Sequence, residues 1–147
     1  FDAKLLPMYI LDENVTKKQS FEQFKQVFAK KDSAYVLNEN TAGSTFYFRR
    51  QNIPKKLDFF FKSGDEASIK AEKNLNEFLK AFNGIKFENH LSTANLTKEL
   101  NIKSFPTFLV NNNVRFSGVH VPETIKENFC KLNKLPECEK GLSKSLI

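Results

Sequence analysis

The chain has 147 residues, 40% of them hydrophobic, with 16 phenylalanines, no tryptophan and a formal charge of +6. That length suits one domain and allows roughly two thirds of the unfolded chain's surface to be buried. No apolar run reaches the ~18 residues of a spanning helix, and the 23 basic residues are scattered as doublets such as Lys17-Lys18, Arg49-Arg50 and Lys55-Lys56, a solvated face and not the basic block of a nucleic-acid or anionic-membrane binder.

In chain order, "MYIL" (8–11) reads as a short strand. Thr16 and Gln19 are spaced as a capping box for a helix carrying Phe21, Phe24, Val27 and Phe28 on one stripe. "AYVLN" (34–38) and "STFYF" (44–48) flank a polar connection suited to a hairpin. "LDFFF" (57–61) is a near-continuous apolar run of the kind buried within a sheet. "SGDE" (63–66) reads as a second capping box, with the Ser63 hydroxyl accepting from the Glu66 amide. It opens a helix with Ala67, Ala71, Leu75, Phe78, Leu79 and Phe82 at helical spacing, for which Asn83-Gly84 supplies a left-handed stop.

"IKFE" (85–88) reads as a strand, residues 95–100 as a short helix, and "PTFLVNNNVRF" (106–116) as a strand opened by proline and turned into a hairpin at Asn111 to Asn113. A last helix runs from Pro122 with Ile125, Phe129 and Leu132 inward, and Pro136 prevents its extension. From residue 57 the order is strand, helix, strand, helix, strand, strand, helix, an α/β arrangement with helices on both sheet faces.

The stretches "LDFFFKSGDEAS" and "NIKSFPTFLVNNNVRFSG" resemble the thioredoxin superfamily: its central strand running into the active-site helix, and its cis-proline loop with the terminal hairpin. The interval from Gly64 to Pro106 has a thioredoxin-like length, without the helical insertion of DsbA-type enzymes. The resemblance implies a thioredoxin-like core over 57–135, an N-terminal α/β extension over 1–56 packed on the same domain, and a C-terminal tail over 136–147, in a single domain. It also implies a cis Phe105-Pro106 bond that leaves neighbouring backbone unpaired. The same stretches are similar to the TraF/TrbB group of conjugation and type IV secretion components, thioredoxin-like proteins of the bacterial envelope, some of which lack the cysteine pair.

Where thioredoxins carry Cys-x-x-Cys, this chain reads Gly64-Asp65-Glu66-Ala67. Thiol exchange needs a thiolate, which the family obtains at a helix N-terminus. Carboxylates there suit the helix dipole but have no exchange chemistry, so no catalytic residue and no cofactor is expected. Asp58 falls where thioredoxins keep a buried acid, but with no cysteine to exchange protons it has no evident task and reads as facing water. The resemblance therefore implies a redox-inactive module binding a protein or extended peptide through Ser63, Gly64, Asp65, Glu66, Phe105 and Pro106, with Phe105 either an exposed anchor or core. The alternative is a Dsb-type thiol-disulfide oxidoreductase or isomerase.

Cys130 and Cys138 stand near each other in sequence. A structural disulfide is favoured over free thiols or a redox pair, because a helix C-terminus disfavours a thiolate. A disulfide implies an oxidising, periplasmic or otherwise extracytoplasmic compartment. The chain opens on Phe1, which leaves room for a preceding targeting segment. His90 and His120 have no nearby cluster of ligands at metal spacing and read as surface or loop histidines, with no metal expected. The sequons at Asn14 and Asn95 are short enough to be coincidental.

Overall fold

The computed structural model describes residues 3–147. The chain separates into two compact units, Phe1–Arg49 and Arg50–Ile147. The fold is mixed α/β, with two sheets and four α-helices among the described residues. No helix among them is long and apolar enough to cross a membrane.

The N-terminal unit holds β1 (Ile10–Asp12), α1 (Phe21–Phe24), β2 (Phe28–Lys31) and β3 (Ala34–Leu37). The expected helix through Phe28 does not form. One turn, α1, gives way to a 3-10 turn over Lys25–Val27, and Phe28 opens β2. The capping box fails: Ser20 stands at the cap without a side-chain bond, and the Thr16 hydroxyl donates to the Glu13 carbonyl. An uncapped helix carries the full nucleation cost. Pairing Phe28 with Leu37 instead brings the Phe28 ring to 6.1 Å from Phe21, whose ring lies 5.3 Å from Tyr35. The expected 34–38/44–48 hairpin is also absent, for a topological reason. β3 is central and pairs antiparallel with β1 on one edge and β2 on the other. With both edges taken, residues 44–48 contribute only an isolated bridge from Phe46 to Leu6.

The unit Arg50–Ile147 follows the sequence pattern more closely. It contains β4 (Lys56–Phe61), α2 (Glu66–Ala81), β5 (Lys86–Leu91), α3 (Asn95–Glu99), β6 (Thr107–Val110), β7 (Val114–Ser117) and α4 (Pro122–Cys130). The sheet order is β5-β4-β6-β7, with β4 and β5 parallel and the other pairs antiparallel. Strand alternation divides β4 between two faces. Leu57 and Phe59, with Phe108 and Val110 of β6, pack against Ala71, Leu75, Phe78 and Phe82 of α2 and its end and against Ile125 and Phe129 of α4. Each fully buried Phe or Leu there contributes about 1.5–3 kcal/mol relative to exposure. Lys56, Asp58 and Phe60 project to the opposite face.

Three local expectations need correction. The N-cap of α2 is Asp65, not Ser63. Gly64 adopts a left-handed φ of 74°, and the Asp65 carboxylate accepts from the Ser68 amide at 2.8 Å and the Ser68 hydroxyl at 2.9 Å. Glu66 does not reach back to Ser63; it pairs with Lys70 at 2.7 Å. At the other end, α2 stops at Ala81 with Phe82 as cap, and Gly84 is not left-handed. The β6–β7 turn behaves as read, with Asn111 and Asn112 at φ 53° and 69°. Its Asn111 side chain accepts from Asn133, which also donates to the Phe129 carbonyl and accepts from the Lys55 amide. This buried network ties the hairpin to the end of α4 and the start of β4.

Candidate functional site

The register of β4 and β6 determines where the sequence-derived residues meet. Phe60 pairs with Thr107, so the C-terminal end of β4, which continues into Ser63, Gly64, Asp65 and Glu66, lies at the same end of the sheet as Phe105 and Pro106, which lead into β6. Ser63, Gly64 and Glu66 are exposed, Asp65 and Phe105 half-buried, and Pro106 buried. Phe105 is thus neither a free anchor nor a core residue. The Phe105-Pro106 bond is cis.

The backbone here is only partly open. The Pro106 carbonyl accepts from the Gly118 amide at 2.9 Å, and the Ser104 carbonyl from the Thr107 hydroxyl at 2.7 Å. Both groups flanking Phe105 are therefore engaged, contrary to the fuller opening expected from the sequence. Among the described residues the amide and carbonyl of Phe105 itself have no hydrogen-bond partner.

The acids of the helix-opening turn are structural in their bonding. The Ser68 amide, and after it the Ser68 hydroxyl, hold the Asp65 carboxyl below its ordinary pKa. The hydrogen bond from Lys70 does the same for Glu66. No thiol stands in this turn. Cys130 and Cys138 lie at disulfide distance between the end of α4 and the 3-10 turn Pro136–Glu139, and there are no free cysteines. Both sulfurs pack on the core beneath α4.

A second constellation escaped the sequence reading. Asp58 does not face water; its side chain is fully buried on the face opposite α2 and α4. His90 is neither isolated nor in a loop. β5 continues past Glu88 to Leu91 and carries Glu88 and His90 on one face, in register with Asp58 and Phe60 of β4. The His90 Nε2 lies 2.8 Å from Asp58 Oδ1 and 3.8 Å from Glu88 Oε2. Lys56 Nζ approaches the same two oxygens at 3.5 and 3.9 Å. The imidazole stacks on Phe60, ring centroids 4.8 Å apart, which fixes its plane. Asp58 Oδ2 is buried without a hydrogen-bond partner, an arrangement that costs free energy because a desolvated carboxylate oxygen has lost its water. His120, by contrast, is the loop histidine expected, held by the Ser117 carbonyl at 2.7 Å.

No protein-family model matches the chain, and no curated protein or solved structure matches it.

Proposed function

We propose that the chain is a redox-inactive thioredoxin-like module that binds an extended peptide segment of a protein partner. The carrying observation is the unpartnered amide and carbonyl of Phe105, at the same end of the sheet as the Ser63–Glu66 turn. An extended peptide gains affinity by adding main-chain hydrogen bonds to such backbone and specificity through pockets for alternate side chains. The half-buried Phe105 ring offers an apolar contact next to those bonds.

The thioredoxin-like assignment is supported by the order β5-β4-β6-β7 with a parallel β4–β5 pair and α2 following β4. The inactive assignment is supported by Gly64-Asp65-Glu66-Ala67 in the helix-opening turn and by the confinement of both cysteines to the far end of α4. A disulfide favours an oxidising, extracytoplasmic compartment. The resemblance to TraF/TrbB components points to an assembly role in the bacterial envelope.

The test is selection of linear peptides from a random library on the full chain, followed by N-methyl scanning of the best peptide and measurement with Phe105→Ala. Strand addition requires that methylating alternate peptide amides abolish binding and that Phe105→Ala weaken it about tenfold, a change of 1.4 kcal/mol. Affinity indifferent to both removes this surface. An insulin-reduction assay on the same material distinguishes the oxidoreductase alternative, which alone predicts turnover.

A further inference from the structure

We propose that Asp58, Glu88 and His90 form a binding site for a borderline divalent cation of the Zn²⁺ type, with Lys56 as the resident counter-charge that the ion displaces. Three observations converge on it. Each residue offers a ligand atom, and the three atoms lie within 4.8 Å of one another. Asp58 is fully buried, and its Oδ2 has no partner. The site borders solvent: β5 is an edge strand and the Glu88 side chain is 59% exposed, so an ion can reach the buried carboxylate from outside.

The donor set favours Zn²⁺ over Mg²⁺ or Ca²⁺, because an imidazole nitrogen suits the borderline metals while the hard cations take oxygen alone. At metal–ligand distances near 2.0–2.2 Å, tetrahedral ligand atoms stand about 3.4 Å apart. The His90–Asp58 gap of 2.8 Å therefore opens by a fraction of an ångström, and the 3.8 Å gap to Glu88 closes by a similar amount. Glu88 has the freedom to make that movement, and the stacked Phe60 ring holds His90 in plane while it does.

Lys56 occupies the neighbourhood as a single positive charge at 3.5 Å from Asp58, longer than a charge-assisted hydrogen bond. Its flexible stem allows the ammonium to move outward. Three protein ligands leave a fourth position for water or a partner's side chain.

The test is calorimetric titration of the full, disulfide-bonded chain with ZnCl₂, with Co²⁺ absorption spectra to report coordination. The expected result is one ion per chain. Glu88→Gln and His90→Gln should each weaken binding by about tenfold or more, and Lys56→Met should strengthen it by removing the competing cation. Asp58 is buried, so its replacement threatens the fold; the exposed Glu88 provides a variant that keeps it, and circular dichroism verifies this. Absence of binding overturns the proposal, and so does binding that neither Glu88→Gln nor His90→Gln moves, since the ion then sits elsewhere.

Discussion

Reducing the Cys130–Cys138 bond isolates its structural contribution, because no other cysteine is present. The bridge closes a loop with a sequence separation of 8. Chain-entropy reasoning assigns a loop of that size about 2.6 kcal/mol, by restricting the unfolded ensemble. Both sulfurs lie against the core under α4, so substitution by serine would add a half-buried hydroxyl to the loss of the bond. Reduction by a phosphine, verified by counting two titratable thiols, is the cleaner perturbation.

Thermal melts convert the energy into a shift whose size depends on what unfolds together. If the 147-residue chain melts as one unit, the expected fall in Tm is about 8 °C, whereas independent melting of the Arg50–Ile147 unit gives about 12 °C. Urea curves should show a lower midpoint for the reduced form. An unchanged midpoint refutes the structural role, and multiple-turnover insulin reduction by the chain with dithiothreitol as electron donor, above the rate with dithiothreitol alone, refutes the inert assignment.

Two further perturbations test the packing around α4. Phe129→Ala removes a fully buried ring that meets Phe78 and Phe82 edge-on at 5.4 and 5.7 Å, and should cost about 3–5 kcal/mol in urea denaturation. Glu123→Ala should cost about 1.5–3 kcal/mol, since Glu123 accepts from Lys126 and from the Leu142 amide, both at 2.7 Å. Those bonds, Lys126 first, hold the Glu123 carboxyl below its usual value of 4.5. A depressed carboxyl contributes stability above its unfolded pKa and loses it as the pH falls through the folded value. The gap between wild type and Glu123→Ala should therefore be full at neutral pH and close on acidification below 4.5. A gap that stays constant into acid would mean that the charge of Glu123 is irrelevant.

What was legible in the sequence was local. The period of α2, the apolar run of β4, the Asn-rich turn and Pro122 at the start of α4 each state their structure within a few residues, and each formed. The N-terminal unit was misread where the outcome depended on partners distant in sequence. Residues 21–28 carry a helical stripe, but Phe28 and its neighbours gained more by pairing with β3, and β3 in turn bonded on both edges and left 44–48 without a strand. The cap of α2 was misplaced by two residues because Gly64 turns left-handed, which frees Asp65 to cap through Ser68. The Asp58–His90 pair was invisible for a related reason. Alternation along "KLDFFF" and "KFENHL" puts Lys56 and Asp58 on one face, and Glu88 and His90 on one face, but only the β4–β5 register says that these faces are the same.

The two faces of that sheet treat charge in opposite ways. Against α2 and α4 the contacts are apolar, and little beyond shape decides them. On the other side, burying a carboxylate costs several kcal/mol even after relaxation, and repayment depends on hydrogen bonds to every lone pair. His90 and Lys56 address Oδ1 of Asp58 and leave Oδ2 alone. With no thiol in the helix-opening turn, proton exchange with a cysteine cannot account for the acid. The divalent ion proposed for this cluster would place two positive charges beside the buried carboxylate where Lys56 places one. Peptide capture as proposed uses the main-chain groups and the ring of Phe105 at the end of the sheet and none of the three cation ligands. Loss of Zn²⁺ binding in Glu88→Gln should therefore leave the peptide affinity of the metal-free chain unchanged, which separates the failure of one assignment from the failure of the other.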